Sequence, residues 1–277
     1  MAGQRKLSKN AWKWAFYDWA NSGFATTVMA GFFPIFFKSF WAGDLEAAES
    51  TFVIGSVNSL IGLLIAISAP ILGAIADVGK TKKKFLFIFA ALGIIATGYL
   101  FFIPESSWKL AVLFYGLGVI GFSGGNIFYD ALIVSVSSPN ERNRTSSLGF
   151  SLGYLGGGLL FLLNVAMYLY PQWFGLSGPA DAVLWSFMSV AFWWFIFSMP
   201  LLLYVKETSD LVEKENINIF TTAFTNLLNT AKSVRNYKKV VIFLLAYFLY
   251  MDGVDTIIRM ATSYGSDIGL SASSMIS

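Results

Sequence analysis

Apolar residues in this chain do not alternate with polar ones. They gather into long runs separated by short polar breaks. Bilayer hydrocarbon about 30 Å thick requires roughly 20 apolar helical residues. Seven runs meet that length, at 12–40, 51–76, 85–103, 110–136, 147–170, 183–205 and 240–260. Backbone groups inside lipid must be satisfied within their own segment or by a closed barrel, and long runs without a period of two predict helices. The pattern therefore predicts an all-α, polytopic transmembrane bundle.

The break at 206–239 is the only long one. Within it Ile217, Phe220, Phe224, Leu227, Leu228, Ala231 and Val234 recur at helical spacing, which predicts an amphipathic helix lying at the membrane surface. Three parts are expected: a six-helix membrane domain at 1–205, a cytoplasmic linker at 206–239, and the start of a second membrane domain at 240–277. The seventh run begins a pattern already seen in the first. Tyr17, Asp18 and Asn21 have counterparts in Tyr250, Asp252 and Asp255, an aromatic cluster running into Asp with a second polar residue three positions on. The chain reaches Ser277 about where an eighth span should begin, so the expectation is an N-terminal fragment of a longer protein.

Composition agrees with this class: 56% of residues are hydrophobic and 13% charged. Charge adds orientation. The N-terminal segment through Lys13, at the start of the first run, and the second, fourth and sixth breaks carry 4, 4, 2 and 6 basic residues, 16 of the 19 present. Lys38, Lys109 and Arg259 are the exceptions. Basic residues are retained on the cytoplasmic side, so the N-terminus is expected inside, and a short N-terminus without a targeting segment favours the plasma (inner) membrane. The basic residues form no stripe interleaved with aromatics, which argues against a nucleic-acid partner. There is no cysteine and no histidine, so neither thiolate metal sites nor imidazole chemistry are available, and no metal, cofactor or enzymatic activity is expected.

Charges within spans are costly, by at least about 2.5–3.5 kcal/mol near the bilayer centre, and mark candidate function. Away from span ends they are Asp18, Asp130, Asp252, Asp255 and Arg259, confined to the first, fourth and seventh runs. Asp18 and Asn21 are three apart, Asn126 and Asp130 four apart, Asp252 and Asp255 three apart, so each pair shares a helix face. These residues are the expected solute or proton path. For Asn21 and Asn126, hydrogen bonding between helices serves equally well. With no histidine, proton coupling would rest on the carboxylates. Gly149, Gly153 and Gly157 recur at every fourth position, as do Gly121 and Gly125, which suits close helix packing.

Three stretches together carry a family likeness: FYDWANSGF at 16–24, GAIADVGKTKKKF at 73–85, and Tyr129-Asp130 followed by ERNRTSSLGFSLGYLGGG. The chain resembles the major facilitator superfamily, in its vacuole-effluxer-like branch of autophagy-related vacuolar amino-acid effluxers and bacterial relatives. The resemblance implies a secondary transporter of two six-helix halves, monomeric at full length, moving a small polar solute by alternating access. It implies a cytoplasmic gate at Gly73, Asp77, Lys80, Lys82, Lys83 and Lys84, with Arg142 and Arg144 in the equivalent loop. There Gly73 would allow close helix contact, and the lysines would meet neighbouring helix ends or headgroups. The superfamily loop usually reads Asp-x-x-Gly-Arg, whereas here Gly79 follows Asp77 by two and Lys80 stands where glycine is expected. The competing expectation is a non-transporting membrane scaffold or receptor, or an inactive transporter remnant.

Overall fold

A computed structural model describes residues 7–207, 219–234 and 236–271. Among these residues there is no strand, and seven helices are long and apolar enough to cross a membrane. The protein is a multi-pass helical bundle. The spans are α1 (Lys9–Trp41), α2 (Ala47–Gly79), α3 (Lys82–Phe102), α4 (Trp108–Ala131), α5 (Arg142–Leu169) and α6 (Pro179–Tyr204). A shorter helix, α7 (Ile219–Val234), precedes α8 (Lys238–Asp267), which contains the last span.

Local chemistry sets the ends. Ser8 caps α1 by accepting from Ala11 N at 3.0 Å, and its hydroxyl donates to Val136 O at 3.0 Å. Glu46 and Glu49 form a capping box at the start of α2. The left-handed Lys80, at φ 52°, ends α2 and turns the chain into α3. Helices outrun the apolar runs at several ends, as in α3 and α5, which start on Lys82 and Arg142, because basic side chains can reach water from within a helix. The run expected at 110–136 is interrupted at Leu132, leaving a separate turn at Ile133–Val136.

The up-and-down order gathers the starts of α1, α3, α5 and α8 with the ends of α2, α4 and α6. This basic end carries Lys9, Lys13, Lys80–Lys84, Arg142, Arg144 and Lys238. Helix α1 packs against α5 and α6, α3 lies between α4 and α6, and α2 rests on α4 with α7 and the end of α8 against it. Two aromatic-rich cores fill the interior. The larger runs through Phe24, Phe33, Trp41, Tyr115, Phe187 and Trp194, with Phe33 stacked on Tyr115 at 3.9 Å between ring centres.

Helix α1 is not uniform. Regular α turns over Lys9–Gly23 give way to wider i→i+5 turns at Phe24–Phe32 and again at Phe37–Trp41. Pro34 lies between them and cannot donate to Ala30 O one turn earlier. That carbonyl accepts instead from Thr262 Oγ1 of α8.

Candidate functional site

The first and fourth helices bring their polar faces together. Asn21 Nδ2 of α1 donates to Asn126 Oδ1 of α4 at 2.6 Å, and Asn21 is buried. Towards the basic end, Trp14 Nε1 donates to Tyr129 O at 2.8 Å, and the two rings stack at 4.2 Å between centres. Between these contacts lies Asp18. It is half-buried and accepts from Ser22 Oγ at 3.3 Å. Asp130 is exposed near the basic end of α4.

The third wall is α5, and its glycines explain how Asp18 fits. A Cβ built on Gly153 would lie 2.8 Å from Ser22 Oγ and 3.0 Å from the Asp18 carboxyl carbon. At Gly149 it would meet the Tyr129 hydroxyl at 2.8 Å and Trp14 at 2.9 Å, and at Gly157 the backbone of Ser22 at 2.9 Å. Thr26 Oγ1 uses that proximity to donate to Gly157 O at 3.2 Å. The ladder thus holds α5 directly against the polar face of α1. Its tightest member is Gly156, whose Cβ would sit 2.6 Å from Trp19 and which the every-fourth spacing passes over.

Asp18, Asn21 and Asn126 therefore share one lane between α1, α4 and α5, and Asp130 lies one turn beyond Asn126 on α4, exposed at its mouth. Trp14, Ser22 and Tyr129 belong to it as well and were not singled out from the sequence. Their register was the available signal: Trp14 and Ser22 lie four residues either side of Asp18, and Tyr129 three beyond Asn126. The Tyr129 hydroxyl is buried with no hydrogen-bond partner among the described residues. Those residues hold no cluster of acidic side chains able to bind a metal ion.

Asp252 and Asp255 are exposed on α8. Thr262 meets Ala30, and at about 1.5 Å rise per residue Asp255 comes level with the Ser22 turn of α1. The Arg259 side chain lies outside the described set.

At the basic end the turn after α2 ties helix termini together. Lys82 N and Lys83 N donate to the two carboxylate oxygens of Glu207 at 3.2 and 3.3 Å, and Lys83 Nζ donates to Val205 O at 2.8 Å. The start of α3 and the end of α6 so satisfy each other's unpaired groups. Asp77 pairs with Lys82 at 2.7 Å, within the turn itself. Lys80, Lys84, Arg142 and Arg144 are exposed. Among the described residues, a Cβ at Gly73 meets nothing within 4 Å, so the close helix contact implied for it is not made there. Glu207 had not been singled out, since it lies beyond the sixth span in sequence and reaches the turn only through the fold.

Residues 43–136 and 134–276 match the family described as vacuole effluxer Atg22 like. Over 275 residues, 98% of this chain, there is 40% identity to an uncharacterized MFS-type transporter, YxiO, of Bacillus subtilis strain 168, whose length is covered to 64%. Autophagy-related protein 22 of Eremothecium gossypii is 21% identical over 90% of this chain and 58% of its own length. The Yarrowia lipolytica protein of the same name is 27% identical over 50% of this chain and 26% of its own. This chain spans less than two thirds of each of these relatives. No solved structure matches it.

Proposed function

The chain belongs to the vacuole effluxer Atg22-like family, and from that premise we propose that it forms the first part of a secondary active transporter. The transporter moves a small polar solute, with amino acids the leading candidates, by alternating access between two membrane domains. Residues 1–205 form the first domain, 206–239 the linker, and 240–277 begin the second. The N-terminus faces the cytoplasm across the plasma membrane, in line with the basic residues gathered at one end of the bundle.

The observation that carries this reading is the lane of Asp18, Asn21, Asn126, Tyr129 and Asp130. Packing alone does not require a carboxylate at Asp18 within the first span, and a membrane interior penalises it. The lane's chemistry suits a solute that brings a positive group and hydrogen-bond donors. Asp18 and Asp130 accept from such a solute or exchange a proton with it, and the Tyr129 hydroxyl and the asparagine pair orient it. Asp252 and Asp255 face the lane from α8. The turn at Asp77 and Lys80–Lys84, with Arg142 and Arg144, forms the gate at the cytoplasmic end.

Flux of radiolabelled amino acids into vesicles bearing the whole transporter tests this. Uptake that saturates with solute supports the reading. Equal flux with and without the protein across an amino-acid panel, with and without a pH gradient, would count against it.

A further inference from the structure

Three basic residues lie away from the basic end or deep in a span, and of the two whose side chains are described, Lys38 has a built environment. Lys109 lies on the surface over the Trp108 ring at 5.5 Å. The Lys38 side chain is only 10% exposed, and its Nζ lies 2.6 Å from Asp267 Oδ1 and 3.1 Å from Ser263 O. The other carboxylate oxygen of Asp267 accepts from Thr51 Oγ1 at 2.9 Å, and Thr51 Oγ1 lies 3.3 Å from the buried Ser263 Oγ. Lys38 belongs to α1, Thr51 to α2, and Ser263 and Asp267 to α8. One polar knot therefore joins three helices at the end opposite the lysine-rich turn.

Its surroundings define what the knot does. A turn below it, Thr262 Oγ1 donates to Ala30 O, and Met260 Cε lies 3.8 Å from the Cβ position of Gly55. The contacts of α8 with α1 fall on the outer part of α1, from Phe24 onward. Its other half, from Ile242 to Asp252, is exposed. The described contacts of the last span with α1 and α2 thus lie towards its later half. Charge-assisted hydrogen bonds give the knot its geometry, and Asp267, with 29% of its side chain exposed, remains within reach of water when the pair separates.

We propose that Lys38 and Asp267, braced by Thr51 and Ser263, form a latch that closes the end of the path opposite the lysine-rich turn. This structure is then the state closed at that end, and opening there requires the pair to part. The proposal rests on the transport reading for its purpose. Its test reads accessibility rather than flux, so either can fail alone.

The chain has no cysteine, so one introduced by Ala30→Cys, at the seam beneath the latch, is unique within it. In the whole transporter in vesicles, a membrane-impermeant maleimide is applied from the latch side. Labelling should be slow in the Ala30→Cys parent and faster by about fivefold or more once Lys38→Ala or Asp267→Ala is added. The exchange Lys38→Asp with Asp267→Lys should return it towards the parent rate. Thr51→Val, which keeps shape and removes one hydroxyl, gives an intermediate rate and covers the case of a misfolded charge variant. Equal labelling in the parent and in every properly inserted single variant would overturn the latch, as would an exchange that labels as fast as Lys38→Ala.

Discussion

Asn21 of α1 donates its amide to Asn126 of α4 at 2.6 Å, bridging two helices whose acidic side chains are Asp18 and Asp130. The bond fixes the spacing of the lane. Hydrogen bonds between membrane helices contribute about 0.6 kcal/mol on average. Asn126→Ala should therefore cost little stability, with a melting temperature in detergent within a few degrees of wild type. Flux should fall more than stability does, because the solute then meets an unbridged gap. A large loss of melting temperature with normal flux in the surviving protein would assign the pair to structure alone.

The glycines should sort by what their missing Cβ would strike. At Gly121 a Cβ would lie 2.4 Å from the Gly93 backbone, and at Gly156 2.6 Å from the Trp19 backbone oxygen, contacts that no rotamer change relieves. Gly121→Ala and Gly156→Ala should each destabilise by about 1–3 kcal/mol. Gly73→Ala and Gly158→Ala, where nothing lies within 4 Å, should be neutral or slightly stabilising through lower unfolded-state entropy. Thermal denaturation of the four variants in one detergent compares them directly.

Glu207 caps α3 through both carboxylate oxygens, and its loss should resemble the loss of a helix cap. Glu207→Ala is expected to cost about 0.5–2 kcal/mol, with Glu207→Gln recovering part of it. Amide hydrogen exchange should localise the effect to the first turn of α3 and the end of α6. Exchange unchanged there would show that the cap contributes nothing in the membrane.

Helix α7 rests on α2 through Ala223, which is only 2% exposed, and shares with Ile71, Ala74 and Ile75 an apolar recess of about 430 Å³. Ala223→Asp would place a charge in that contact at a cost of several kcal/mol, so α7 should detach. Protease cleavage within 219–234 should accelerate while the six-span bundle keeps its melting temperature.

Much of this was legible from the chain, because in lipid one constraint dominates. Every backbone group must be satisfied, so run length alone yields seven helices, and the polar residues at Asp18 and Asn126 stand out against an apolar background. The aromatic members of the lane were less visible. Trp14 and Tyr129 differ little from the other aromatics until Trp14 Nε1 is seen to reach across 115 residues to Tyr129 O. Lys38 was an exception to the charge bias, and only the fold brings Asp267 to it. Glu207 was hidden for the same reason, as no local pattern announces a cap supplied from 125 residues away. Gly73 was legible by motif, yet its neighbour is absent among the described residues. Motifs locate such residues along the chain, whereas contacts depend on how the helices stand around them.

The central claim is that the α1–α4 lane carries the solute, and Asp18→Asn tests it most directly, since the substitution keeps the shape that Gly153 accommodates and removes the charge. In vesicles with matched protein content, saturating flux should fall about tenfold or more, the effect of losing ~1.4 kcal/mol, while Asp44→Asn in the exposed loop after α1 leaves flux unchanged. Wild-type flux in both Asp18→Asn and Asp130→Asn would contradict the account.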